Sequence, residues 1–111
     1  MPRFLSIFVG MLFQMDMFDV RKIFDRTEGE VRRTAFETCG QVCSRQIDIE
    51  TDGEVIRQVR YTGGCNGNTQ GVAALVAGMK IDEAIARLEG IDCNGRGTSC
   101  PDQLARALKQ L

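Results

Sequence analysis

The stretch VCSRQIDIETDGEVIRQVRYT, residues 42–62, decides the fold class. Ile47 and Ile49 alternate with polar neighbours, Asp52-Gly53 supplies a turn, and Val55, Val59 and Tyr61 fall on one side of the run that follows. Period-two alternation on both sides of an Asp-Gly pair is the pattern of a half-buried antiparallel hairpin. A two-residue turn would set Ile49 against Ile56, whereas a three-residue loop with a bulge would set Ile47 against Val59. The bulged loop is the preferred register, because it gathers more apolar side chains on one face.

Downstream the hydrophobic period changes from two to 3.6. GGCNGN (63–68) is a glycine-rich turn that leads into TQGVAALVAGMK (69–80). There Val72, Leu75, Val76 and Met79 recur as the buried stripe of a helix capped by Asn68. IDEAIARLEG (81–90) reads as a shorter helix with Asp82 at its cap, Ile85 and Leu88 facing inward and Gly90 at its end. GTSCPDQLARALKQL (97–111) closes the chain with a third. Its stripe is Leu104, Leu108 and Leu111, with Ser99 or Cys100 at the cap and Pro101 in the first turn, where an amide proton is not needed. The expectation is an α+β domain: an antiparallel β-hairpin or three-stranded sheet packed against about three helices. The domain is placed at residues 34–111. Residues 1–33 read as an N-terminal extension with helical spacing at Phe4, Phe8, Leu12, Met15 and Phe18, joined by the polar connector TEGEVRR (27–33).

Composition removes several functions. With a formal net charge of -1, the chain has no basic surplus to draw it onto a phosphate backbone, so no nucleic-acid partner is expected. The apolar run Phe4 to Phe13 is too short to span a bilayer, and no small-residue cleavage site follows it; neither a leader nor a membrane partner is expected. The five cysteines are an odd number, which favours a reduced, cytoplasmic setting. There is no histidine, so a metal site would have to rest on sulfur, with or without a carboxylate. No carboxylate pair, serine nucleophile or histidine supports hydrolysis. GGCNGN is followed by neither lysine-serine nor lysine-threonine, so it is not a phosphate loop.

The cysteines are therefore the candidate chemistry. Cys100 stands at the start of one helix and Cys65 stands just before another. The first turn of a helix presents unpaired N–H groups and partial positive charge, which favour a thiolate, the form that ligates metal and attacks electrophiles. Gly63, Gly64 and Gly67 around Cys65 fit a sharp turn, and Gly95 and Gly97 fit a loop that folds Cys93 toward Cys100. Cys39-x3-Cys43 and Cys93-x6-Cys100 form two local pairs, neither with zinc-knuckle C-x2-C spacing. A shared metal site and a set of small core residues both remain open on spacing alone, and Cys39 is divided between core, spare thiol and ligand. Asp92, Asp102 and Arg96 could orient ligands, although polar residues beside turns more often cap or face water.

VCSR (42–45), GGCNGN, LVAGM (75–79), GIDC (90–93) and above all RGTSCPDQLARAL (96–108) resemble the TSCPD-domain family over nearly all of residues 38–110. Members of that family occur as small four-cysteine proteins and as a C-terminal appendage of adenosylcobalamin-dependent ribonucleotide reductases. The resemblance implies metal ligation by Cys43, Cys65, Cys93 and Cys100. A weaker likeness in element order is to the U-type iron-sulfur assembly scaffolds, and it would assign the ligands to Cys39, Cys65 and Cys100. The scaffolds' histidine and acidic residue are here Ser99 and Gln41. The two resemblances differ over Cys39 and Cys43, and Cys43 is preferred because it lies in the longer match.

Together these imply a metal-binding domain that holds Zn2+ or an iron-sulfur cluster, acts with a protein partner and is linked to ribonucleotide reductase. The alternative is a thiol-disulfide redox protein in which Cys93 and Cys100 supply electrons to a reductase. Any enzymatic role is implied by resemblance alone, since the chain is too short to hold a reductase barrel. The oligomeric state, a homodimer included, is left open.

Overall fold

The computed structural model describes residues 17–64 and 66–111. Within them the chain forms β1 (Arg21–Glu28), β2 (Val31–Glu37), β3 (Ser44–Asp52), β4 (Val55–Gly63), α1 (Asn66–Val76), α2 (Ile81–Leu88) and α3 (Cys100–Leu108). The strands make one antiparallel sheet in the order β1-β2-β3-β4. The class is α+β as expected, with one strand more than the larger sheet anticipated.

The β3–β4 hairpin settles its register with a two-residue turn and a bulge together. Asp52 pairs with Val55 and Thr51 with Ile56; the ladder then skips Arg57, so that Glu50 pairs with Gln58, Ile49 with Val59 and Ile47 with Tyr61. Neither expected pairing occurs, because the extra residue lies inside β4 and not in the loop. Its effect is geometric. Ile56 and Val59 are three residues apart and would face opposite sides of a regular strand. The bulge turns both into the core, where they are 0% and 5% exposed. Val55, expected to face inward, is instead exposed, and Arg57 turns outward to reach Glu50 at 3.6 Å.

Part of the expected N-terminal extension belongs to the sheet. β1 and the first residues of β2 fall within residues 1–33, and the expected boundary at Thr34 lies in the middle of β2. TEGEVRR is the tip of a hairpin: Glu28 pairs with Val31, and Gly29 between them takes a positive φ of 63°. All eight residues of β1 are exposed, so the strand carries no inward-outward alternation to read. The helical reading of Phe4 to Met15 lies outside the described residues.

The core sits between one face of the sheet and the helices. Phe36, Ile47, Ile56 and Leu104 are fully buried in it, with Val76, Ala84, Ala107 and Leu108 supplied by the three helices. α1 meets the core with Val72, Ala73, Val76 and the following Met79, while Leu75, expected in the stripe, is exposed. Ala73 takes the place on the stripe that was expected of Leu75. α1 also starts before its expected cap, at Asn66, and α2 is preceded by Lys80, so Asp82 lies in the first turn and does not cap it. Gly90, with φ of 84°, follows the C-cap of α2 as expected. α3 is buried on nearly every residue from Cys100 to Leu108.

Deleting Arg57 should turn Ile56 or Val59 to solvent and lower stability by roughly 1.5–3 kcal/mol. Arg57→Ala keeps the bulge and should stay within about 0.5 kcal/mol of the wild type. Urea denaturation measures both, and equal effects would contradict this role of the bulge.

Candidate metal centre

Residues 98–103, TSCPDQ, open α3 inside the protein. Thr98, Ser99, Cys100, Asp102 and Gln103 are all buried. A helix start removed from water must find partners for its free amides and for every polar side chain it carries. Ser99 is the N-cap: its Oγ accepts from the Asp102 amide at 3.1 Å and donates to the Ile91 carbonyl at 2.6 Å. The Asp102 carboxylate accepts from the Gly90 amide at 2.8 Å, the Thr98 hydroxyl at 2.6 Å and Arg106 Nε at 2.9 Å. Burial works against the charge on Asp102, but these hydrogen bonds and the Arg106 guanidinium outweigh it and hold the carboxyl below its ordinary pKa. Gln103 donates to the Phe18 carbonyl at 2.5 Å and to the Thr98 hydroxyl at 3.0 Å, and accepts from the Cys39 amide at 3.0 Å. Among the described residues no buried side-chain nitrogen or oxygen lacks a partner.

The loop between α2 and α3 is fixed as firmly. Both Asp92 oxygens are taken by backbone amides, Gly95 at 2.6 Å and Gly97 at 2.6 Å. Gly97 has a φ of +91°, and a Cβ there would lie 2.8 Å from the ring of Phe18. Phe18 in turn has the Arg106 guanidinium 6.0 Å from its ring centre. The segment leading into β1, this loop and α3 therefore form one packed unit.

The thiols gather around that unit. Cys100 is the first residue of α3, 8% exposed, with its Sγ 3.2 Å from Ser44 Oγ. Ser44 begins β3, and Thr38 ties off the loop before it by donating its hydroxyl to the Ser44 carbonyl at 2.6 Å. That tie places the preceding Cys43 beside α3. The Tyr61 hydroxyl donates to the Cys100 carbonyl at 3.0 Å; burial pushes the phenol far above its ordinary pKa, and the adjacent Cys100 sulfur adds to the effect. Cys43, Cys93 and Cys100 line a single cavity of about 290 Å³, together with Asn68, Ile91, Asp92 and Arg96. Cys43 and Cys93 are exposed in it.

Cys65, the fourth ligand implied by the resemblance, lies outside the described residues. It directly precedes α1, whose Asn68 lines the same cavity. Cys39 is half-buried with its amide committed to Gln103, and it does not line the cavity. Among the described residues no three Cys, Asp or Glu side chains converge closely enough to hold an ion as they stand. Asp92 and Asp102 serve the backbone and α3, as capping residues would. Gln103 was overlooked in the sequence although a signal exists: it sits on the stripe Cys100, Gln103, Leu104, Ala107, Leu108, where a lone polar side chain must be bonded internally.

The family model of the TSCPD domain matches residues 19–111, which takes in β1 and β2 as well as every cysteine. No curated protein and no solved structure matches the chain.

Gln103→Ala should destabilise the chain by roughly 2–4 kcal/mol, since it removes the side-chain bonds that tie the Phe18 carbonyl, the Thr98 hydroxyl and the Cys39 amide to α3. A shift of the thermal midpoint by less than one degree would contradict the hub. Asp102 titrates lower in the folded chain than unfolded, so the stability it supplies is complete above about pH 3.9 and is lost as pH falls below that. Wild type should therefore lose more stability than Asp102→Asn on going from about pH 5 to about pH 2. Parallel pH profiles in urea denaturation would contradict the assignment.

Proposed function

The chain belongs to the TSCPD-domain family, and from that premise we propose that it is a small metal-binding domain with cysteine ligands, holding Zn2+ or an iron-sulfur cluster through Cys43, Cys65, Cys93 and Cys100. The observation that carries this reading is the shared cavity. Three of the four thiols come from the β2–β3 connection, the α2–α3 loop and the start of α3, and all three open onto one space. Thiols used for packing would be dispersed through the core, and Cys43 and Cys93 are exposed. The donor set is sulfur without histidine, which suits zinc and iron-sulfur chemistry and not calcium or magnesium. Since the three described sulfurs share a cavity, and among the described residues no three ligand side chains converge unaided, ligation would draw them together, and metal binding would add to the stability of the fold.

Cys93 and Cys100 lie at the two ends of one loop and both face the cavity, the arrangement that a dithiol-disulfide pair would use. The presence of Cys43 in the same space, from a distant part of the sequence, favours a central ion. In this reading the domain works in the cytoplasm beside a protein partner, and a ribonucleotide reductase is the partner implied by the family. No helix among the described residues is long and apolar enough to cross a membrane.

Elemental analysis and an absorption spectrum of anaerobically purified protein test the proposal. It predicts bound zinc, or bound iron with the visible absorption of a cluster. Ser in place of Cys43, Cys65, Cys93 or Cys100 should each abolish stoichiometric binding, whereas Cys39→Ser should retain it. Metal-free protein with a reversible Cys93–Cys100 disulfide would favour the redox reading, and retention of metal by all four variants would exclude the ligand set.

A further inference from the structure

Among the described residues lining the sulfur cavity, Arg96 alone is cationic and Asp92 alone is anionic, and both oxygens of Asp92 are committed to backbone amides. The two amides it holds belong to Gly95 and Gly97, the residues on either side of Arg96. The Arg96 amide itself donates to the Cys93 carbonyl at 3.2 Å. The backbone of Arg96 is thus pinned from three directions, and its side chain reaches out of the Cys93–Cys100 loop to place Nη1 3.9 Å from Cys43 Sγ, 53 residues away in sequence.

We propose that Arg96 is the charge-compensating residue of this site: its guanidinium, aimed by the Asp92 clasp, faces Cys43 Sγ and offsets part of the negative charge that builds up when thiolates share an ion. The inference rests on the metal-binding reading above and assigns a role within it that sequence alone did not separate from that of a solvated loop arginine. A divalent ion held by four thiolates leaves two negative charges without compensation. A neighbouring cation lowers the free energy of that arrangement, and arginine stays charged at every relevant pH. A distance of 3.9 Å is long for a directional hydrogen bond, so the effect is mainly Coulombic. Because Arg96 borders water, it is also open to screening by salt.

Zinc affinity, measured on the full chain by competition with a chromophoric chelator at low and high salt, tests this. Arg96→Gln should weaken Zn2+ binding about 10-fold to 100-fold at low ionic strength, the range typical of residues that support metal ligands. Arg96→Lys should keep most of the affinity, and the deficit of Arg96→Gln should shrink toward about 1 M salt, where charges are screened within about 3 Å. The melting temperature of the metal-free protein should not change in either variant. Wild-type affinity in Arg96→Gln, a deficit that salt does not reduce, or an equal loss in Arg96→Lys would each overturn the proposal. A wild-type chain that takes up neither Zn2+ nor iron would instead overturn the metal reading itself, a result seen before any variant is compared.

Discussion

Burying the first turn of α3 is the constraint from which the rest of the site follows. An exposed helix start can satisfy its amides with water, but this one lies against Ser44, Tyr61 and the α2–α3 loop. Each of its polar groups must be answered by protein. Ser99, Asp102 and Gln103 do so, and their partners lie far apart in sequence: Phe18 at the entry to β1, Cys39 after β2, Gly90 and Ile91 after α2. Each bond contributes about 1 kcal/mol net when made and costs more when one partner is left alone in the interior. The network therefore holds four chain segments in one arrangement, and the thiol of Cys100 is carried at its centre.

That arrangement explains the chemistry of the neighbourhood. Fixing α3 against the start of β3 puts Cys43 and Cys100 around one space, and fixing the loop by Asp92 adds Cys93 and Arg96 to it. The signature TSCPD itself divides by role. Thr98, Ser99 and Asp102 build the buried cap, Pro101 fits the first turn without an amide to satisfy, and Cys100 is the residue presented. Four of the five letters thus position the fifth.

Much of the architecture was legible because it depends on local periodicity. Alternation at Ile47 and Ile49, the stripe of α3 and the Ser99-x-Pro101 start are properties of short segments and appear where expected, and the stripe of α1 does so except at Leu75. β1 was illegible for a physical reason: an edge strand with all its side chains exposed buries nothing and leaves no pattern. The bulge at Arg57 could not be placed from sequence, since it is selected by the gain of burying Ile56 and Val59 together, a property of the assembled sheet. At the site, the importance of Cys100 followed from its place at a helix start. The choice of Cys43 over Cys39 came from family resemblance; Cys43 lines the cavity and Cys39 does not. Gln103 was missed because two of its three partners, Phe18 and Cys39, are set by tertiary contact, and only its position on an apolar stripe hinted at burial.

The central claim is that sulfurs from separate elements share one ion around the buried start of α3. X-ray absorption at the zinc edge of the zinc-loaded protein tests it most directly. The account predicts a shell of four sulfurs at about 2.3 Å with no nitrogen or oxygen contribution. A shell dominated by light atoms, or one with two sulfurs or fewer, would contradict it.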